Sequence, residues 1–546
     1  MAWSSTALVD AHDSMAGGSG LAAALALPGA RLKASATCHA SGHAFLARWL
    51  RCCLLTAAYL GSPLSAAQVS FTDITVSAGL NTTHQGVVNA VGQAWIDLDA
   101  DGHSDLFVTD QQGPNSLYRN LGDGRFSLLP DSITSLAGET TLGASSADVD
   151  NDGRDDLLVL TLGQPRLFRN TAAGLVDITA TSGINHAGQG QSATWADINA
   201  DGWLDLYITN WYFNEDETHP NNQDRLYLNQ GGGRFADVSH WLDLTARSGP
   251  GFACLFFDYD NDGDSDLYVV NDKHYGNPLW RNDGPGCDGW CWTNVAVNTG
   301  ANRPVFGMGV SAGDFDLDGD LDIYFTSIDE MVLLRNDVAT SGVFTEVTDD
   351  YGVNVIAVGW GSVFADVDND GREDLYVPTA PSGFGNSLLL NRYPQAFDDI
   401  SAASGINDDA FSISASIADF EADGRLDVLL GNRNQGYRVY ANHSPDAGHW
   451  VQFTLAAGAG VNSKAVGTRL YLTLDDGQEL MREVMIGGSM GVSHQALIHF
   501  GLGQRDIQQL RVVWPDGAVQ FPSVTRNQRH VLRHPQWQVA VSEGFE

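Results

Sequence analysis

Seven short stretches of this chain concentrate carboxylates at one fixed spacing, and the first is Asp97-Leu98-Asp99-Ala100-Asp101-Gly102-His103-Ser104-Asp105. An oxygen-bearing side chain recurs at places one, three, five and nine, with Gly at six and an apolar residue at ten. The copies supply Asp97, Asp99, Asp101 and Asp105; Asp148, Asp150, Asp152 and Asp156; Asp197, Asn199, Asp201 and Asp205; Asp258, Asp260, Asp262 and Asp266. They continue with Asp314, Asp316, Asp318 and Asp322; Asp366, Asp368, Asp370 and Asp374; and Asp419, Glu421, Asp423 and Asp427. Carboxylates crowded in this way raise one another's pKa unless a cation sits among them. Hard oxygen donors at alternating places, a main-chain carbonyl at seven and Gly at six for the sharp turn suit calcium. Up to seven Ca2+ sites are expected. Asn199 and Glu421 keep an oxygen at place three but alter its charge or reach, so weaker binding is expected there. Acidic turns without an ion are the alternative, since Asp-Gly is an ordinary turn former. The ninth Asp, kept in all seven copies, argues against it.

An EF-hand would need a bidentate Glu at place twelve and a helix on either side. Place twelve is instead Val108, Val159, Ile208, Val269, Phe325, Val377 and Leu430. None can bind an ion. The residues after each loop, such as Leu106-Phe107-Val108-Thr109 and Leu206-Tyr207-Ile208-Thr209, are of strand type. The loops therefore join strands.

The loop starts lie 51, 49, 61, 56, 52 and 53 residues apart, which is the mark of a repeat architecture. A second recurring part ends on Asn, from Leu117-Tyr118-Arg119-Asn120 through Leu226-Tyr227-Leu228-Asn229 to Val439-Tyr440-Ala441-Asn442. A Gly-rich turn and a short run such as Phe235-Ala236-Asp237-Val238 follow, and an apolar run such as Gly361-Ser362-Val363-Phe364-Ala365 precedes the loop. Four short strands per repeat, seven times over, predict an all-β, seven-bladed β-propeller across residues 68–445. A ring also removes the exposed edges that a linear stack would leave. Phe71-Thr72-Asp73-Ile74-Thr75 resembles the run that closes the other repeats yet stands before the first loop. Residues 69–76 are therefore expected to complete the seventh blade. Residues 446–535 read as a small β-rich C-terminal domain, with strands at Trp450–Leu455 and Leu470–Leu474, a turn at Asp475-Asp476-Gly477 and a strand from Glu479 to Ile486. Residues 536–546 are left as a tail.

The repeats resemble the FG-GAP/VCBS repeats of integrin-α-type propellers, and Phe306-Gly307 and Gly361 keep traces of the Phe-Gly signature. The resemblance implies calcium ligation by the loop residues named above, with the main chain of place seven. Asn462-Ser463, Gly467-Thr468-Arg469, Gly487-Gly488, Ser493-His494-Gln495, His499-Phe500-Gly501-Leu502-Gly503 and Trp514-Pro515-Asp516-Gly517 resemble the ASPIC/UnbV domain. That domain follows FG-GAP repeats in the cartilage acidic protein family and its bacterial relatives. Ala465-Val466-Gly467 departs from the Gly-Ile-Gly type of turn usual there.

Residues 1–67 read as a leader. Arg48-Trp49-Leu50-Arg51, the apolar run from Cys52 to Leu60 and Ser65-Ala66-Ala67 form the three parts of a secretory signal. Cleavage is expected after Ala67 and the location is secreted or periplasmic; no transmembrane segment is expected in the mature chain. The long lead before the signal points to a later start or an atypical leader. Loss of the leader's four basic and two acidic residues leaves 25 basic against 65 acidic side chains. Such a charge argues against nucleic acid or anionic membrane as partner. Of the three remaining cysteines, Cys287 and Cys291 suit a local disulfide and Cys254 a buried thiol.

His494, His499, Arg482, Glu483 and Asp516 would offer an acid, a base and an anion binder. Hairpin turns at Asp476-Gly477 and Asp516-Gly517 and cross-strand charges at Arg482 and Glu483 are the better supported reading. No His-Glu-x-x-His or phosphate loop occurs. No catalytic residue is assigned. The expectation is a non-catalytic calcium-binding module for an extracellular glycan or protein ligand, taken at the top of the ring. Two insertions, Asn210–Asp216 and Cys287–Cys291, would reach it, their aromatics either stacking on sugars or packing on a neighbouring blade. A calcium-dependent lyase or hydrolase acting on polysaccharide is the alternative. It would require ionisable groups outside the loops to converge in one pocket.

Overall fold

In a computed structural model of the chain, the described residues are 69–536 apart from 131–132, 213–218, 244–248, 288, 329, 446 and 459. The leader and residues 537–546 lie outside them. Each blade starts from an inner strand of small and apolar residues, buried along nearly its whole length. These strands are Gln93–Ile96, Thr141–Ala147, Gly188–Ala196, Gly251–Phe257, Gly307–Gly313, Val363–Ala365 and Ser412–Ala418. Every inner strand ends one residue before place one of its acidic loop, and every second strand begins on the Asp of place nine, as in Asp105–Val108 and Asp322–Ser327. The third strand runs up to the recurring Asn, and a fourth, mostly exposed strand completes the antiparallel sheet. The architecture is a seven-bladed β-propeller.

Ring closure follows the expected course. Phe71–Asp73 pairs antiparallel with the third strand of blade 7, Phe71 against Asn442 and Asp73 against Tyr440. The first strand in sequence is thus the outermost strand of the last blade. Apolar layers between neighbouring blades seal the ring; Leu255, Phe257, Tyr268, Ile323, Phe325 and Leu334 fill the one between blades 4 and 5.

The C-terminal domain is a β-sandwich. One sheet orders Ile498–Gly503, His449–Ala456 and Arg529–Arg533; the other orders Glu479–Glu483, Arg469–Leu474, Ile507–Val513 and Val519–Gln520. Alternate residues of both sheets, among them Val451, Phe453, Leu470, Leu472, Phe500, Leu510 and Trp514, form its core.

The strand expected to run to Ile486 stops at Glu483. Residues 486–495 leave the sandwich and thread the axis of the ring. Ile486 bridges Trp195 of blade 3 and Ser489 bridges Val310 of blade 5. The carbonyl of Gly491 accepts from Ala144 of blade 2, and Val492–Ser493 pairs in parallel with Gln93–Ala94 of blade 1. Ser489 Oγ bonds the Ala415 carbonyl of blade 7 at 3.2 Å, the Gly488 amide donates to Cys254 of blade 4, and Gly361 of blade 6 faces Ser489. One segment thus touches the inner strands of six blades and, in blade 6, Gly361 just before its inner strand. Close approach requires its glycines: Gly491 has φ +64°, and a Cβ there would stand 2.9 Å from the Gln191 carbonyl oxygen. Met490, 2% exposed, packs with the buried residues Val91, Trp95, Phe252, Met308 and Trp360.

Candidate functional site

The seven loops share one backbone. Place four is left-handed in all of them, at Ala100, Asn151, Ala200, Asn261, Leu317, Asn369 and Ala422, and so is the Gly at place six. Place nine acts as the keel. In blade 5, Asp322 Oδ2 accepts the Phe315 amide at 3.0 Å and Oδ1 accepts the Asn336 amide at 2.7 Å. The same pair of bonds recurs in every blade, with the recurring Asn always the second donor. That Asn also ties blades together. Nδ2 of Asn336 donates to the Tyr259 carbonyl of the preceding blade's loop at 2.8 Å, as Asn229 does to Val149, Asn282 to Ile198, Asn391 to Phe315 and Asn442 to Val367. Sequence reading saw the repeated Asn but gave it no role.

Place one is held from two sides, because Oδ1 accepts the amide of place five and Oδ2 that of the Gly at place six. Place three meets an arginine in several blades, Asp99 with Arg119 at 2.9 Å, Asp150 with Arg169 at 3.0 Å and Asp368 with Arg392 at 3.3 Å. Asp150 Oδ1, Asp260 Oδ1 and Asp316 Oδ1 are buried and have no hydrogen-bond partner. Three carboxylate oxygens lie within 4.8 Å of one another in Asp97/Asp99/Asp101, Asp148/Asp150/Asp156, Asp258/Asp260/Asp262, Asp314/Asp316/Asp322 and Asp366/Asp368/Asp374. The loops carrying Asn199 and Glu421 contain no such carboxylate triple among the described residues. Burial, with neighbouring carboxylates adding to it, pushes Asp105 and Asp316 up to about 7 and Asp156 and Asp314 to about 8. Asp205, Asp266, Asp322, Asp374 and Asp427 rise well above the carboxylate range for the same reasons. Such groups take up either a proton or a positive charge among them. One unpartnered oxygen in each of three such carboxylate clusters fits a hard cation.

The C-terminal sandwich covers part of this loop face. Ser463 Oγ donates to Asp148 Oδ2, Gly501 N to Asp366 Oδ2 at 3.0 Å, and Gln452 Nε2 to Asp419 Oδ2 at 2.8 Å. Arg529 and Arg469 add ion pairs to Asp419 and Asp258 at 3.2 and 3.4 Å.

The residues that suggested an acid–base set do not converge. His494 is half-buried and accepts the Ile417 amide at 3.2 Å, and His499 lies between Gln452 and Asn369. Burial lowers their pKa to about 4 and about 3. Arg482 pairs with Glu373, Glu483 with Arg469, and Asp516 with His534. Each has a structural partner.

The two insertions do not share a face. Asn210–Tyr212 follow a second strand and emerge opposite the loops, whereas the hairpin closed by the Cys287–Cys291 disulfide follows Asn282 at the loop end. Antiparallel strands alternate direction, so connections after strands two and three exit at opposite ends. Phe213–Asp216 of the first insertion lie outside the described residues. Next to it, a cleft of about 400 Å³ is lined by Leu162, Gly163, Gly188, Gln189, Trp211, Tyr212, Asn221 and Asn222. Lys273 stands over the Trp211 and Tyr212 rings, 5.2 and 4.8 Å from their centres. Cys254 is a fully buried free thiol.

The family comparisons agree with this geometry. The FG-GAP-like repeat matches residues 97–159, 148–208, 218–269, 258–325 and 314–377, and the ASPIC and UnbV family matches 458–539. The chain is an FG-GAP-repeat β-propeller protein with a C-terminal ASPIC/UnbV domain. It is similar to cartilage acidic protein 1 of Mus musculus, at 22% identity over 474 residues covering 79% of this chain and 71% of that protein. Integrin alpha-7 of Rattus norvegicus is 30% identical over 157 residues, 26% of this chain and 13% of its own length. Among solved structures, an Agrocybe aegerita lectin described for recognition of non-reducing terminal N-acetylglucosamine aligns with a TM-score of 0.40 and 16% identity, over 64% of this chain and 87% of that one. Among the described residues, no helix is long and apolar enough to cross a membrane.

Proposed function

We propose that this is an exported, non-catalytic binding module whose ring is held by calcium and whose ligand, a glycan or a protein, is taken on the face opposite the acidic loops. The observation that carries the calcium half is the trio of buried, unpartnered oxygens on Asp150, Asp260 and Asp316, each inside a cluster of loop carboxylates. Places one, three, five and nine would hold the ion with the carbonyl of place seven, as hard oxygen donors suit calcium. Bound calcium supplies the positive charge that lets these buried carboxylates stay ionised together. The chain's own part is to hold the oxygens in place, through the place-nine Asp and the Asn beside it.

Three features support the ligand half. The axis of the ring is filled by residues 486–495, and the sandwich covers part of the loop face. The cleft is lined by the amides of Gln189, Asn221 and Asn222 beside Trp211, which packs on Phe252 of the next blade and leaves part of its ring exposed, and the combination suits sugar rings or a protein side chain. Thermal unfolding in millimolar calcium and then in excess chelator tests the first half. A glycan and matrix-protein screen in the presence of calcium, repeated on Asn221→Ala, tests the second. Unfolding that ignores the chelator would reduce the loops to acidic turns.

A further inference from the structure

The fourth place of the loops alternates in a way that the ion does not require. It is Ala, Asn, Ala, Asn, Leu, Asn, Ala from blade 1 to blade 7, always at the same left-handed φ. Asn tolerates that conformation better than Ala or Leu, yet it stands only in blades 2, 4 and 6. There it makes two contacts. Its Nδ2 reaches the following loop: Asn151 to the Gly202 carbonyl at 2.7 Å, Asn261 to Asp320 Oδ1 at 2.5 Å and Asn369 to the Gly424 carbonyl at 3.0 Å. Its Oδ1 faces the C-terminal sandwich, accepting from the Ser463 amide at 2.9 Å, from Arg469, and from His499 Nε2 at 2.7 Å.

In the same blades the sandwich also touches place one. Ser463 Oγ, Arg469 and the Gly501 amide meet Asp148, Asp258 and Asp366, and Gln452 with Arg529 meet Asp419 of blade 7. Gln452 Nε2 further reaches His499 Nδ1 at 3.2 Å, so a chain of polar contacts runs from Asp419 through Gln452 and His499 to Asn369. Among the described residues, no side chain or amide of the sandwich donates to Asp97 or Asp197. The loops of blades 1 and 3 are outside the contact at place one.

We propose that the C-terminal domain is an ion-dependent clamp: filling of the loops of blades 2, 4, 6 and 7 and seating of the sandwich, with its axial segment 486–495, are one coupled equilibrium. Donors on the outer oxygen of place one hold that carboxylate in the orientation that offers its other oxygen to the ion. In the reverse direction, repulsion among unfilled carboxylates opens the loops and withdraws the Asn and Asp acceptors on which the sandwich rests. Linkage makes the two effects equal. This rests on the calcium reading above, and the test separates the two.

The decisive variant of the full chain is Asn151→Ala/Asn261→Ala/Asn369→Ala, because Ala already occupies the same place and conformation in blades 1, 3 and 7. Calcium titration by calorimetry is expected to show two classes of site in the parent, and a loss of about tenfold in affinity confined to one class in the variant. Hydrogen exchange is the second readout. Asp150→Asn/Asp260→Asn, which removes ion ligands in blades 2 and 4 without touching the sandwich, is expected to speed exchange in 449–456 and 498–503. Asp99→Asn/Asp201→Asn, in blades 1 and 3, is expected to leave those segments protected. Calcium binding that is unchanged in the triple variant, or exchange that responds equally to both ligand pairs, overturns the clamp and leaves the calcium reading standing. No calcium heat in the parent overturns both.

Discussion

The two faces of the ring solve opposite problems. The loop face crowds carboxylates, buries them and meets them with amides, asparagines and the cations Arg469 and Arg529. The opposite face lines its cleft with Trp211, the buried Tyr212 and amide side chains, with Lys273 over the two rings and Asp272 accepting the Trp211 indole N–H. One face is organised to hold something small and positive without moving. The other keeps surface available. The lesson is that the many acidic residues mark where the molecule is stapled, and the ligand surface has to be sought where they are absent.

The largest effect that could break this comparison is ion removal. Each site filled at a hundredfold over its Kd contributes about 2.7 kcal/mol, so calorimetry in chelator should show a fall in Tm far beyond any single substitution, while the cleft-side variants keep their full calcium response. Acidification comes next. His494 and His499 have their pKa lowered by burial to about 4 and about 3, so the unfolded chain binds protons that the folded one refuses below about pH 6.5. Their contribution to stability should therefore be complete above that pH and fall toward pH 4 by about 1.4 kcal/mol per pH unit for each histidine, while ion-free loop carboxylates raised to about 7 and about 8 contribute with the opposite sign. Chemical denaturation of His499→Gln at pH 7, 6 and 5 checks it: the slope should be shallower than the parent's.

The axial segment gives the third. Met490→Ala empties a buried position on the axis and should cost about 2–5 kcal/mol, measured by urea unfolding, with the loosening seen first in exchange of 486–495. Asn336→Ala removes bonds to the Tyr259 and Leu321 carbonyls and should cost about 1–3 kcal/mol. That loss should appear equally with and without ligand. Smallest of all, Asn221→Ala at the exposed lip of the cleft should shift stability by less than about 0.5 kcal/mol while abolishing capture in the ligand screen. An Asn221→Ala protein that kept ligand binding but lost its calcium response would invert the assignment of faces.

Much of this was legible because the repeat is local. Asp97 bonds the amides of places five and six of its own loop, and Asp105 reaches back to place two, so the motif forms wherever its residues occur. The place of Phe71–Asp73 as the last strand was readable too, since a ring with seven loops left one closing strand unaccounted for. Two asparagine patterns were present in the sequence and carried no meaning there. The Asn that ends each third strand looked like a turn residue, and its bond to the loop of the preceding blade exists only once the blades are packed. The Asn of place four in alternate loops looked like ordinary variation at a turn.

The sequence by itself therefore determined the seven acidic loops, the four strands around each and the number of blades, because these depend on contacts between near neighbours and on a hydrophobic alternation repeated seven times. Only the tertiary structure decided that Ile486-Gly487-Gly488-Ser489-Met490-Gly491 fills the axis of the ring instead of ending a hairpin, and that the sandwich bonds the loops of blades 2, 4, 6 and 7. Contacts such as Ser463 to Asp148 join residues 315 positions apart. Glycine written into a chain signals freedom of the backbone; whether that freedom serves a turn or a close passage between inner strands depends on what surrounds it.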